Sequence, residues 1–141
     1  MTRFSADTSP TKRFLIESIT RDASITDCLF DLIDNSIDAA SATLDLDERD
    51  AGDLSFAVIE LTVTDEHVTI TDNCGGISND DLSTSSLRFG EPSAKDYGIG
   101  LYGIGLNRAI FKLGLFTTMF TERDGQRSML DVDVDQYKQV E

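Results

Sequence analysis

The chain has 141 residues, 40% of them hydrophobic, and a formal net charge of −14. That length suits one domain around one core, and that apolar content is too high for a disordered chain. The charge disfavours nonspecific nucleic-acid binding, because a phosphate backbone is repelled; no apolar run approaches the roughly 18 residues of a membrane span; and the opening "MTRFSADTSPTKRF" has no apolar signal core, so a cytoplasmic location is expected.

In chain order, the first element is a short helix over residues 11–21, with Phe14, Leu15, Ile16 and Ile19 as its apolar residues. A longer helix follows over about 25–42. Ser24 with Asp27 three residues on is close to a capping box, with Asp in place of the usual Glu or Gln. At about 100° per residue, Leu29, Leu32, Ile33, Ile37 and Ala40 share one broad face. Asp31, Asp34, Asn35 and Asp38 gather opposite. Residues 45–53 form a polar loop. "FAVIELTVTD" and "EHVTITDN" alternate as a hairpin with its turn near Asp65 and Glu66. "NCGGISNDDLS" reads as a loop leading into a short helix. The aperiodic, polar stretch to about residue 100 reads as a lid over 84–100. A helix is expected over 104–113. "LFTTMFTE", an Asp-Gly turn and "RSMLDVDV" make a second hairpin. Helices and hairpins in this order predict an α+β sandwich with helices on one face of a sheet.

Few residues are available for metal or triad chemistry. Cys28 and Cys74 have no metal-type spacing, and two free thiols are expected. His67 is the only histidine and sits beside a turn, which argues against a His-based triad or a multi-histidine metal site.

Three stretches carry more. On the long helix, Asn35 lies one turn after Asp31, although Asn is an indifferent helix former. A solvated helix face explains this, and so does an oxygen ligand for Mg²⁺ beside a carboxylate that accepts a proton from water. In "TDNCGGIS", Asp72 and the glycines make either a plain turn or a reader of an exocyclic base amine that a backbone can approach closely. In "YGIGLYGIGLNRAIFKLG", Gly98, Gly100, Gly103 and Gly105 run into a helix, whose N-terminal N–H groups suit an anion. The order is G-x-x-G-x-G late in the chain, not the dinucleotide fingerprint after a first strand. A P-loop sequence and the catalytic loop of protein kinases are both missing.

Together "LFDLIDNSIDAA", "DNCGGI" and "YGIGLYGIGLNRA" resemble the N, G1 and G2 boxes of the GHKL ATPases, in order and over roughly residues 11–134. That superfamily includes gyrase B, MutL-type proteins, the large heat-shock chaperones, MORC proteins and histidine kinases, and the chain looks closest to the chaperone/MutL-like branch. The resemblance implies a Bergerat fold: a mixed, mostly antiparallel sheet backed by helices, with ATP held between helices and lid. It implies Asp31 as the general base, Asn35 as the Mg²⁺ ligand and Asp38 as a nearby polar position. Asp72 matches the adenine reader, Gly76 the glycine beside the ring, and Ile77 a residue packed on it. Gly100, Gly103 and Gly105 match the phosphate loop, with Ile104 and Leu106 beside them. Gly98 reads as a lid hinge.

Three departures accompany the resemblance. Asp31 stands where the family has Glu, one methylene longer. Cys74 stands at the first glycine of D-x-G-x-G. The family's later strands, with a Thr near the adenine Asp, and a second domain donating a Lys would follow Glu141, so the expectation is one GHKL domain over 1–141, cut short at its C-terminal end. The expected function is an Mg²⁺-dependent ATP-binding domain with slow hydrolysis. Lid closure on ATP would drive a homodimer or inter-domain switch; the expected ligands are ATP and ADP, with no direct nucleic-acid or membrane partner. The alternatives are a nucleotide-binding switch without hydrolysis and a histidine-kinase catalytic domain.

Overall fold

The structure is a computed structural model that describes residues 9–44, 52–84, 87 and 104–139. Helix α1 (Lys12–Thr20) starts where the Thr11 hydroxyl accepts the Phe14 N–H at 3.3 Å, and it turns Ile16 into the core. Helix α2 (Ile25–Thr43) opens on the expected capping box. The Asp27 N–H donates to Ser24 Oγ, and the Ser24 N–H donates to Asp27 Oδ2, both at 3.0 Å. Asp therefore closes the box as Glu would, from one methylene nearer.

The buried stripe of α2 differs from the expected aliphatic face. Its buried residues are Cys28, Ser36 and Ala40; Leu29, Leu32, Ile33 and Ile37 are half-buried, and so are Asp31, Asp34 and Asp38. The reason is a helix neighbour. Helix α4 (Ile104–Leu113) packs on α2 through Ala109, which joins Ala23 and Cys28 in a small cluster flanked by Leu32 and Leu113. Small side chains at the centre let two helices approach closely, and the larger aliphatics move to the flanks. Asp31 is thereby drawn into the α2–α4 interface instead of facing solvent.

Strands β1 (Ile59–Val63) and β2 (Val68–Asp72) pair antiparallel, Ile59 with Asp72 and Val63 with Val68. The Thr64 hydroxyl organises their turn by accepting the Glu66 and His67 N–H groups at 3.2 and 3.0 Å. Asn73 extends the ladder with its side chain: it accepts from the Val58 N–H at 2.8 Å and donates to the Phe56 carbonyl at 3.0 Å. Helix α3 (Asn79–Thr84) follows, with Ser78 Oγ accepting the Asp81 N–H. Strands β3 (Phe116–Arg123) and β4 (Gln126–Asp133) form the second hairpin. Asp124 and Gly125 carry its turn at φ 53° and 74°, the positive pair that a type I′ turn requires. Helix α5 (Val134–Gln139), where a strand was expected to run to residue 134, begins because Asp133 Oδ1 accepts the Gln136 N–H at 2.9 Å and caps it.

The main core gathers Ile16 of α1, Ile110 and Phe111 of α4, Val132 of β4 and Val134 of α5. The Phe111 and Tyr137 rings lie 5.2 Å apart. Among the described residues the strands form two antiparallel pairs, β1–β2 and β3–β4. The fold is α+β, as expected. What joins the pairs is the loop after β2: the Ile77 N–H donates to Thr121 Oγ1 of β3 at 2.7 Å. No described helix is long and apolar enough to cross a membrane.

Candidate functional site

Helix α2 presents three polar side chains in two turns, and each is held by a different partner. Asp31 faces α4. Arg108 donates to it side-on, Nε to Oδ2 and Nη2 to Oδ1, both at 2.7 Å. The pair is partly sheltered, with side-chain exposures of 32% for Arg108 and 16% for Asp31. Two charge-assisted bonds in parallel make this the strongest polar tie between the helices. The Asp31 bonds push the Arg108 guanidinium above its ordinary range. Gly105, one turn before Arg108, lies against the same carboxylate: a Cβ there would come within 3.3 Å of Asp31 Cβ, Cγ and Oδ1.

Asn35, one turn along α2, is exposed, and its amide nitrogen donates to the Asp31 main-chain carbonyl at 2.8 Å. That bond turns the donor half of the amide onto the helix and leaves the oxygen as its outward atom. Such an oxygen fits Mg²⁺, which takes few protein ligands and keeps waters and phosphates. Among the described residues, no three His, Cys, Asp or Glu residues cluster as a protein metal cage.

Ser36 is buried and its hydroxyl donates to Asp72 Oδ2 at 2.7 Å. The other oxygen, Oδ1, accepts the Cys74 N–H at 2.9 Å. Asp72, at the end of β2, is thus fixed from both sides while remaining exposed. Positive φ falls on Gly75 (104°) and Gly76 (67°), and Cys74 is not among the left-handed residues. The loop therefore makes its turn one residue later than D-x-G-x-G would, and Cys74 is free to be a buried side chain. Burial raises the thiol pKa of both Cys74 and Cys28, which keeps them protonated and inert. Gly76 sits directly on β3: a Cβ there would overlap the Glu122 carbonyl and approach Thr121 Oγ1 to 2.9 Å.

The structure thus brings Asp31, Asn35, Asp72, Gly105 and the Gly76–Ile77 loop around one helix and its neighbours. Ile104 is exposed at the start of α4, whereas Leu106 packs against the main core. Asp38 is half-buried on α2. Gly98, Gly100, Gly103 and most of the expected lid lie outside the described residues. Three residues of the site were not singled out in the sequence: Arg108, Ser36 and Thr121. Gly105 and Arg108 share one helix face at i, i+3, a spacing that links Arg108 to the glycine loop but was not read from the sequence. Ser36 and Thr121 carry no such signal, because their partners are distant in sequence.

Helices packed beside antiparallel hairpins, with Asp31, Asn35 and Asp72 spread over a helix and a strand end, define an α+β architecture. Residues 23–141 match the family described as histidine kinase-, DNA gyrase B-, and HSP90-like ATPase, and the chain belongs to that family, the GHKL superfamily of ATP-binding domains. No curated protein and no solved structure matches it.

Proposed function

We propose that this chain binds Mg²⁺-ATP along α2, with the base at Asp72 and the phosphates toward Gly105, and hydrolyses it slowly. The observation that carries this reading is the geometry of α2, which reaches Asp72 through Ser36 and the start of α4 through Asp31, within five residues of one helix. At 1.5 Å per residue that is about 7.5 Å, the scale of a nucleoside between base and phosphates.

Asp72, oriented by the Ser36 hydroxyl and the Cys74 N–H, accepts from the adenine amine. Gly76 and Ile77 lie beside the ring. Gly100, Gly103, Ile104, Gly105 and Leu106 belong to the phosphate loop and the helix it opens, Gly98 is the lid hinge, and Asp38 is a further polar neighbour. Asn35 holds Mg²⁺ through its amide oxygen, and the bound ion supplies charge neutralisation at the phosphates. Asp31 accepts the proton as the oxygen of a water bonds to the γ-phosphorus and the bond to the β-phosphate oxygen breaks, releasing ADP and phosphate. Closure of a lid over 84–100 on ATP would couple this site to a second copy or to a further domain.

One observation favours a second reading, a nucleotide switch without hydrolysis: both oxygens of Asp31 are engaged by Arg108.

Binding and phosphate release test the two together. Mg²⁺-ATP at 100 times its dissociation constant should stabilise the chain by about 2.7 kcal/mol in a thermal melt. Asp72→Asn should weaken that binding about tenfold, since the amide presents a donor to a donor, a mismatch of the order of 1.4 kcal/mol. Asp31→Asn should keep binding and remove phosphate release. No thermal shift with millimolar Mg²⁺-ATP would sink the nucleotide reading. Binding without phosphate release would leave the switch.

A further inference from the structure

We infer that Arg108 is a latch on Asp31: it holds the carboxylate out of reaction, and turnover requires the pair to open. The inference rests on the reading of Asp31 as proton acceptor and assigns the brake on that step to a residue outside the three boxes' functional positions.

A carboxylate offers about four acceptor sites on two oxygens. Here each oxygen already accepts a guanidinium N–H at 2.7 Å. A proton arriving from water would convert the carboxylate to a neutral acid and dismantle two charge-assisted bonds. Gly105 packs close to the carboxylate as well, since a Cβ placed there would lie 3.3 Å from Oδ1. Arg108 and Gly105 are on one helix, so a small shift of α4 away from α2 releases both restraints at once. Asp also reaches one methylene less far than Glu, so Asp31 has little freedom to swing past Arg108 to a water. Arg108 is therefore a positioning residue that acts through Asp31. Its two bonds go to Asp31 and none goes to Asp72 or that residue's partners Ser36 and Cys74, so the base end of the site does not depend on it.

The test separates kcat from binding. Arg108→Gln retains a donor and much of the packing, and Arg108→Lys retains the charge with a single-point contact. Phosphate release from Mg²⁺-ATP should rise from wild type through Arg108→Lys to Arg108→Gln, by about tenfold at the end of the series, equivalent to about 1.4 kcal/mol of barrier. The dissociation constant for a non-hydrolysable ATP analogue should stay within about twofold, as expected where ground-state binding is untouched. The double variant Asp31→Asn with Arg108→Gln should be inactive. Equal or slower turnover in both Arg108 variants, with melting temperatures showing them folded, overturns the latch and leaves Asp31 as base. Undiminished turnover in Asp31→Asn overturns the base reading, and the latch with it. Mg²⁺-ATP binding with no turnover in any variant overturns the latch and favours the switch.

Discussion

Gly76 has less freedom than any other described glycine. Its φ of 67° is left-handed, and a Cβ would run into the β3 backbone at Glu122, which cannot step aside as a side-chain tip would. Gly125 has a similar φ of 74° but open space around it. The two positions separate strain from overlap. Gly125→Ala should cost about 1 kcal/mol, the strain of a left-handed L-residue alone. Gly76→Ala should cost more than about 3 kcal/mol, because overlap adds to strain. Urea unfolding of the two variants checks the difference, and equal midpoints would mean that the loop after β2 is not held against β3 as described. Gly76 thus does two jobs: it turns the chain, and it lets the loop after Asp72 lie against the second hairpin.

Among the elements, α2 carries the candidate site, and its start is set by local chemistry. The Ser24 backbone N–H and hydroxyl both donate to Asp27, and they hold its carboxyl below the usual carboxylate range. A folded-state pKa below the unfolded one means that the unfolded chain binds protons first on acidification. The contribution is present above the ordinary Asp value and is lost as pH falls through the lower folded-state value. Stability of the wild type should therefore fall more steeply with acid, below about pH 4, than that of Asp27→Asn. Parallel slopes in acid-titrated urea melts would refute the assignment. Ser24→Ala should cost about 1 kcal/mol at neutral pH. The hairpins depend on their neighbours in a different way. An isolated two-stranded hairpin is marginal in water. The β3–β4 pair is secured by Met119, Leu130 and Val132 packing on α4 and α1, while Phe116, Phe120 and Met129 stay exposed on its outer face.

For the whole molecule, the dominant fact is charge. Twenty-six acidic side chains oppose 12 basic ones. Self-repulsion of that size lowers stability and is screened by salt, with a Debye length near 10 Å at 0.1 M and 3 Å at 1 M. The melting temperature should rise between about 0.1 and about 1 M NaCl, since screening relieves exposed like charges more than it weakens the sheltered Asp31–Arg108 pair. A fall over that range would show that attractive surface pairs outweigh the net repulsion. The same charge bears on ligand choice. A polyanionic nucleotide meets repulsion at long range, so its affinity has to come from short-range contacts.

Local rules accounted for the elements. Apolar spacing, the Ser24 box and the Asp-Gly turn located α1, α2, α4 and both hairpins, because each depends on residues within a few positions of one another. The three boxes, read in order, led to the family. The end of β4 escaped the same rules, since whether Asp133 continues a strand or caps a helix depends on where Val134 is buried. Tertiary packing also decided which face of α2 is inside. Close approach of α4 selects small residues at the contact, and this draws Asp31 toward Arg108, a residue 77 positions away. Ser36 behind Asp72 and Thr121 under the glycine loop are of the same kind. Sequence spacing determines which side chains share a helix face. Only the packing of one element on another decides which distant charge or hydroxyl each of them meets, as Arg108 does for Asp31.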